Sequence, residues 1–379
     1  MSDKKLNVAV AGLGRMGLRH ARHFATLTPK ANLIAVSSPV QAELDAAVAE
    51  FGPLRTYLNY DDLLKNEPTL QAVVVSSATT VHADMAIKAI EKGLHVLCEK
   101  PLSTSVEISQ SVVDAYNKSL KKNPAQKVIC GFSRRFDASY RDAYKRLSSG
   151  SIGTPSVFRS QTADKLDPSG FFVAYAEFSG GIFVDCSIHD IDLALWFFGE
   201  DSKVKSVSAV GITAVQPDLR KHNDRDNAAA IVEFYVGLLN AILLDITTDI
   251  LLQGGKIAQL FCSRMMAAGQ EDTTEIFGTA GKIAVNTQPQ LNLVNLYEPT
   301  GIRREIPGDY YGRFREAFIT EANEFTESCL NNTPPPLKLE GAVNAVRIGC
   351  ALQESLITGK KIEFDESGKR IEAPERARL

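Results

Sequence analysis

The chain has 379 residues, 44% of them hydrophobic, and a formal net charge of −3 at pH 7. That length points to two domains, and the slightly acidic balance excludes a basic nucleic-acid surface or an anionic-membrane surface. The cysteines at 98, 130, 186, 262, 329 and 350 form no C-x-x-C pair, which argues against a disulfide framework or a metal site and fits reduced thiols in the cytoplasm.

Met1–Lys5 leads straight into the apolar run Leu6–Ala11, with nothing that reads as a signal peptide. The strand breaks into Gly12-Leu13-Gly14-Arg15-Met16-Gly17 and then a helical pattern over 15–27. Strand, G-x-G-x-x-G and helix in that order are a dinucleotide-binding fingerprint. The first glycine makes the turn, the second lets backbone approach a pyrophosphate, and the third lets helix pack on strand. Further strands are predicted at 32–37, 71–76, 94–98 and 127–131, and helices at 40–51, 80–92 and 105–119. Val81, Met85, Ala86, Ala89 and Ile90 give the third helix one buried face, which Gly93 closes. Asn117–Lys127 reads as a polar loop. The alternation predicts an α/β Rossmann domain, a doubly wound parallel sheet, over residues 1–131.

Strand-like runs dominate beyond residue 131: Pro155–Gln161, Phe171–Phe178, Val204–Val215, Ala228–Asp245 and Lys256–Phe261. The fourth is too interrupted to cross a membrane, since Glu233 and Asn240 break it, and reads as a hairpin turning near Gly237. Asn331–Pro336 is a proline-rich turn ahead of a final helix near 340–357. This half, 132–379, is predicted to be an α+β domain with a large, mostly antiparallel open sheet. It would bind substrate and form the oligomer, with the final helix and strand packing back on the first domain.

Three more motifs stand out. Glu99-Lys100-Pro101 follows a predicted strand of the first domain, and Gly131-Phe132-Ser133-Arg134-Arg135-Phe136-Asp137 follows another. The third is Gly180–Asp192, which contains Asp185 and His189. With the glycine fingerprint, in this order and spacing, the chain resembles the glucose–fructose oxidoreductase / inositol dehydrogenase / rhizopine-catabolism family over nearly its whole length. Thr358–Ile362 matches the family's closing helix-to-strand turn. The subgroup it most resembles is the inositol 2-dehydrogenases, which oxidise a ring hydroxyl of a cyclic polyol. The resemblance implies an NAD(P)-dependent oxidoreductase acting on a CH–OH group of a polyol or sugar. Two other classes stay open: a non-catalytic dinucleotide sensor, and a sugar or anhydrosugar reductase using NADPH.

The resemblance names Lys100, Asp185 and His189 as catalytic. His189 would be the general acid/base, as an imidazole titrating near working pH can be. Asp185 would hydrogen-bond substrate, and Lys100 would stabilise a developing alkoxide. From residue type alone, each has a plainer reading: a surface histidine, a helix-terminal carboxylate, an exposed lysine. Asp185 and His189 are four apart, which on one helix puts them on one face. A cis Lys100–Pro101 bond is a device that would aim the lysine. Gly12, Gly14, Arg15, Met16 and Gly17 would hold the pyrophosphate. Thr79 and His82 are assigned to the nicotinamide ribose, with His82 equally readable as a first-turn helix residue. Glu99 is an orienting or cofactor-side carboxylate. Arg135 and Tyr311 are candidate substrate contacts, with Asp309, Tyr310, Tyr311 and Arg313 read as a closing loop.

Ser38 stands where NAD-using relatives carry an acid, and Glu43 where NADP-using relatives carry a base. Glu43 would repel a 2′-phosphate, the Ser38 hydroxyl could still serve the ribose 2′-OH as a cofactor contact, and nothing basic lies between Ser38 and Leu54. The balance favours NAD and leaves NADP open. A small polyol or sugar is the expected partner, together with further copies of the chain as a homodimer or homotetramer.

Overall fold

The computed structural model describes residues 4–235 and 255–372, and the hairpin turn expected near Gly237 lies outside them. The chain clusters into two compact units. One comprises Met1–Ala138 with Phe314–Val346, the other Ser139–Arg313 with Arg347–Leu379. The first unit therefore ends at 138 and not at 131, and it recruits residues 314–346, which the sequence placed in the second domain.

The first unit holds β1 (Leu6–Ala11), β2 (Ala31–Ser37), β3 (Arg55–Tyr57), β4 (Ala72–Val75), β5 (His95–Glu99) and β6 (Val128–Gly131). Every pairing is parallel, in the order β3-β2-β1-β4-β5-β6. Strand order reverses between β1 and β4, the switch point beside which such sheets bind ligands. The helices are α1 (Arg15–Arg22, continued by a π-turn His23–Leu27), α2 (Gln41–Phe51), α3 (Tyr60–Asn66), α4 (His82–Glu91) and α5 (Val106–Leu120). Ser105 caps α5 by accepting the Ile108 N–H at 3.2 Å. That helix absorbs Asn117–Leu120 from the expected loop. β3 and α3 escaped prediction because a three-residue strand with two exposed side chains shows no alternation. The core joins Leu6, Val8, Val10, Val36, Val74, Leu97 and Ile129 of the sheet to Phe24, Leu44, Ala322 and Phe325 of the helices.

The second unit begins with α6 (Ala138–Ser148), whose first residue is still counted with the other unit, and contains a sheet with eight strands among the described residues. Its strands are β7 (Pro155–Lys165), β8 (Val204–Ile212), β9 (Asn227–Phe234), β10 (Lys256–Met266), β11 (Glu271–Gly278), β12 (Gly281–Val285), β15 (Ile362–Phe364) and β16 (Arg370–Ile371). A separate hairpin pairs β13 (Asn295–Glu298) with β14 (Gly301–Arg304). The order is β12-β11-β7-β10-β9-β8-β15-β16, and among the described residues only β7 and β10 run parallel. The closing strand, expected back on the first domain, pairs here with β8.

The run Phe171–Phe178 is not a strand. It forms α7 (Phe171–Ser179), bounded by Gly170 and Gly180 at φ of 79° and 77°. Asp167 accepts the Phe171 N–H at 3.0 Å, and Phe171 stacks on Tyr175 one turn later. Helix caps outweigh the strand preference of Phe, Val and Tyr. Among the described residues four further helices follow: α8 (Ile182–Asp185), α9 (Ile188–Phe198) and, after β14, α10 (Tyr310–Asn331) and α11 (Leu339–Thr358).

Candidate active site

The residues singled out fall into two clusters, one in each unit. In the first unit the glycines behave as their spacing requires. Gly12 has φ 90°, and a Cβ there would lie 2.5 Å from Ser77 Cα. A Cβ on Gly17 would lie 1.9 Å from the Gly12 carbonyl oxygen. Gly14 is the opposite case: it is exposed, and a Cβ would meet nothing within 4 Å. That open space fronts the N-terminus of α1, whose first turn carries no acid and no side-chain cap. A helix N-terminus with its dipole is a favourable place for a pyrophosphate. Arg15 is exposed and Met16 half-buried at this turn.

At the end of β2, Ser38 is buried. Its hydroxyl donates to the Glu43 carboxylate and accepts the Val40 N–H at 3.1 Å. The hydroxyl is committed internally, so the half-buried acid of Glu43 is the group presented beside β2.

Thr79 opens a 3₁₀ turn after β4 and is buried. The buried His82 ring lies 2.9 Å from the Pro101 carbonyl through Nδ1 and 3.0 Å from the Ser77 carbonyl through Nε2. It straps together the loops after β4 and β5. Lys100 follows β5, is half-buried, and precedes Pro101 through a cis peptide bond. Glu99 is buried. Its Oε1 lies 2.6 Å from His20 Nε2, and its Oε2 accepts the Lys100 N–H at 3.1 Å. Burial pushes the Glu99 carboxyl up, but the His20 hydrogen bond and the fields of His20, Lys100 and His82 hold it below the usual carboxylate range. Arg134 and Arg135 are both buried, with the Arg134 guanidinium 5.1 Å above the Phe314 ring.

In the second unit Asp185 and His189 do not share one continuous helix. Asp185 ends α8 and His189 lies in the first turn of α9. The hydrogen-bond ladder breaks at Ser187, whose N–H reaches Ile182 and not Phe183. Both side chains are half-buried. Asp185 is held by Arg264, a guanidinium with no solvent exposure: Nη2 donates to Asp185 Oδ2 at 2.9 Å, and Nη1 lies 3.4 Å from Asp224 Oδ2. Asp224 also accepts the Ile182 N–H at 2.8 Å, and Arg264 lies 5.0 Å above the Phe172 ring. Burial pulls the Arg264 pKa down, and the adjacent carboxylates more than reverse it, so the guanidinium stays charged. The expected closing loop around Tyr311 is instead the start of α10. Asp309 caps it, accepting the Gly312 N–H at 2.7 Å, which turns Tyr310, Tyr311 and Arg313 into helix.

Sequence reasoning missed Arg264, Asp224, His20 and Glu321. One signal was available. In β10 the inward positions are Lys256, Ala258, Leu260, Cys262 and Arg264, and a charge in an inward phase demands a buried partner.

A model of an oxidoreductase family with an NAD-binding Rossmann fold matches residues 6–123, and the GFO/IDH/MocA C-terminal domain matches 140–284. The chain belongs to the GFO/IDH/MocA oxidoreductase family. Among its curated relatives is the scyllo-inositol 2-dehydrogenase (NAD(+)) of Bacillus subtilis, 31% identical, with 96% of this chain and 97% of that protein aligned. The myo-inositol 2-dehydrogenase of Thermotoga maritima is 28% identical, over 95% and 99% respectively. Among solved structures, scyllo-inositol dehydrogenase of Lactobacillus casei with bound NAD(H) and scyllo-inositol superposes with a TM-score of 0.85 at 31% identity. That match covers 95% of this chain and 99% of that one.

Proposed function

We propose that this oxidoreductase moves hydride between a ring hydroxyl of an inositol-like cyclic polyol and NAD. The observation that carries the proposal is the Asp185 carboxylate. A fully buried guanidinium holds it 2.9 Å away, four residues before an imidazole. The names of the relatives support the polyol and NAD. A bound nicotinamide supplies the hydride acceptor. Gly12, Gly14, Arg15, Met16 and Gly17 hold its pyrophosphate, with the α1 N–H groups as donors. Thr79 and the His82-strapped loop bound the ribose, and Glu99 orients the lysine. His189 takes the hydroxyl proton. Asp185 accepts a hydrogen bond from the substrate and steers it. Lys100 places an ammonium against the developing alkoxide, while Arg135 and Tyr311 contact the ring.

Glu43 supports NAD over NADP, because its carboxylate disfavours a 2′-phosphate. Homo-oligomer formation in the cytoplasm is part of the proposal. One face of the second sheet exposes Val210, Ile212, Ile231, Ile257 and Phe261, an apolar surface of the kind subunits cover.

The test is steady-state kinetics on a panel of inositols, hexoses and anhydrosugars with both cofactors. Lys100→Met and His189→Ala lower kcat by about 10²–10⁴ while cofactor affinity changes little. Near wild-type turnover in either variant refutes the assignment. Cofactor binding with no NADH formed from any polyol or sugar points instead to a sensor.

A further inference from the structure

Behind Lys100 the first unit buries an ionisable cluster around the motif residue Glu99, built from side chains outside the motifs. His20 of α1 is fully buried and meets Glu99 through Nε2 at 2.6 Å. Phe318 of α10 packs edge-on against the His20 ring at 6.1 Å, and His23 lies 6.2 Å away. Glu321, one helical turn beyond Phe318, is also fully buried. Among the described residues neither Glu321 oxygen has a hydrogen-bond partner, nor does His20 Nδ1. A core built for packing alone would not place an imidazole and two carboxyl groups at the root of a crevice loop, since each costs free energy to bury.

We propose that His20 is a positioning residue for Lys100, acting through the Glu99 carboxylate. The geometry is a chain of contacts. The imidazole fixes one carboxylate oxygen, and the other oxygen fixes the Lys100 backbone N–H at 3.1 Å. The ionised carboxylate thus pins the start of the loop and sets a negative charge near the ammonium. The groups facing Glu99 are His20 from α1, His82 from α4, the buried Cys98 thiol and Lys100 from its own strand and strand end, and Glu321 from α10. Burial favours the neutral form of Glu321 strongly, and the Glu99 charge adds to that preference. Glu321 therefore leaves Glu99 as the cluster's single carboxylate charge. Removing the His20 donor leaves burial to act on Glu99 with less opposition, so Glu99 takes up a proton at higher pH.

This inference rests on the reading of Lys100 as the alkoxide-stabilising group, and the experiment separates the two. The pH dependence of kcat is measured for wild type, His20→Leu, His20→Gln, Lys100→Met and the His20→Leu/Lys100→Met double variant, with NAD affinity read by fluorescence. His20→Leu lowers kcat by about 10- to 100-fold, the scale of a misplaced catalytic group. It also moves the acid limb of the profile to higher pH and leaves NAD affinity unchanged. His20→Gln, which keeps a donor for Glu99, returns both kcat and the limb toward wild type. The double variant is no slower than Lys100→Met, because His20 acts only through the lysine. Wild-type kcat and an unmoved limb in His20→Leu overturn the inference. So does a Gln variant no better than Leu, or two losses that multiply. A wild-type rate in Lys100→Met overturns the reading of the lysine itself. Should His20→Leu not fold, Glu99→Gln takes its place in the same cycle, with the same non-additivity expected and multiplying losses again refuting.

Discussion

Arg264→Met breaks the polar heart of the second unit, and its cost can be worked from the contacts. The guanidinium holds Asp185 at 2.9 Å and Asp224 at 3.4 Å. Removing one partner of a buried ion pair costs about 3–5 kcal/mol, because the remaining charge is left without compensation. The two carboxylates share that cost unequally. The Asp185 side chain is 15% exposed and regains some hydration, whereas Asp224 has 0% exposure and regains none. Loss of the Phe172 contact adds about 0.5–2 kcal/mol. Most of the destabilisation therefore sits on Asp224, which yields a test of sign. Adding Asp224→Asn removes the orphaned charge and keeps an oxygen for the Ile182 N–H, so the double variant is more stable than Arg264→Met alone. Urea unfolding at neutral pH, followed by circular dichroism, measures both. The single variant loses at least about 1 M in midpoint at unchanged slope, and the double variant recovers part of it. A loss below about 1 kcal/mol for Arg264→Met, the range of an exposed pair, refutes the reasoning. So does a double variant as unstable as the sum of its parts.

Four further outcomes follow from single positions. Gly14→Val raises the dissociation constant for NAD without lowering the melting temperature, because its Cβ enters open space. Gly17→Ala lowers the melting temperature, because its Cβ strikes the Gly12 carbonyl; calorimetry and cofactor titration separate the two. Glu43→Lys shifts the ratio of kcat/KM for NAD and NADP toward NADP, and an unmoved ratio removes Glu43 from specificity. Glu321 has a raised folded-state pKa, so the stability it contributes is complete below its unfolded pKa and is lost as pH rises toward the folded value. Glu321→Gln does not titrate. Its stability relative to wild type thus climbs by about 1.4 kcal/mol per pH unit between those pKa values, and a difference independent of pH contradicts the assignment.

Local rules carried the first unit a long way. The glycine spacing, the alternation of apolar runs with helical periods and the helix end at Gly93 are all short-range signals. The first sheet has the strands they predict. Where two local signals competed, the wrong one was easy to choose. Phe171–Phe178 has strand composition but helix caps at both ends, and Asp309 made a helix start look like a polar loop.

The sequence by itself determined the doubly wound parallel sheet, the glycine turn after β1 and the presence of residue types able to carry a proton, because those depend on spacing within one or two elements. Tertiary structure alone decided what surrounds them. His20 meets Glu99 from 79 residues away, Arg264 meets Asp185 from the same separation, and Glu321 shares the buried compartment of Glu99. Burial and pairing set the charge state of each group, and both depend on packing between elements distant in the chain.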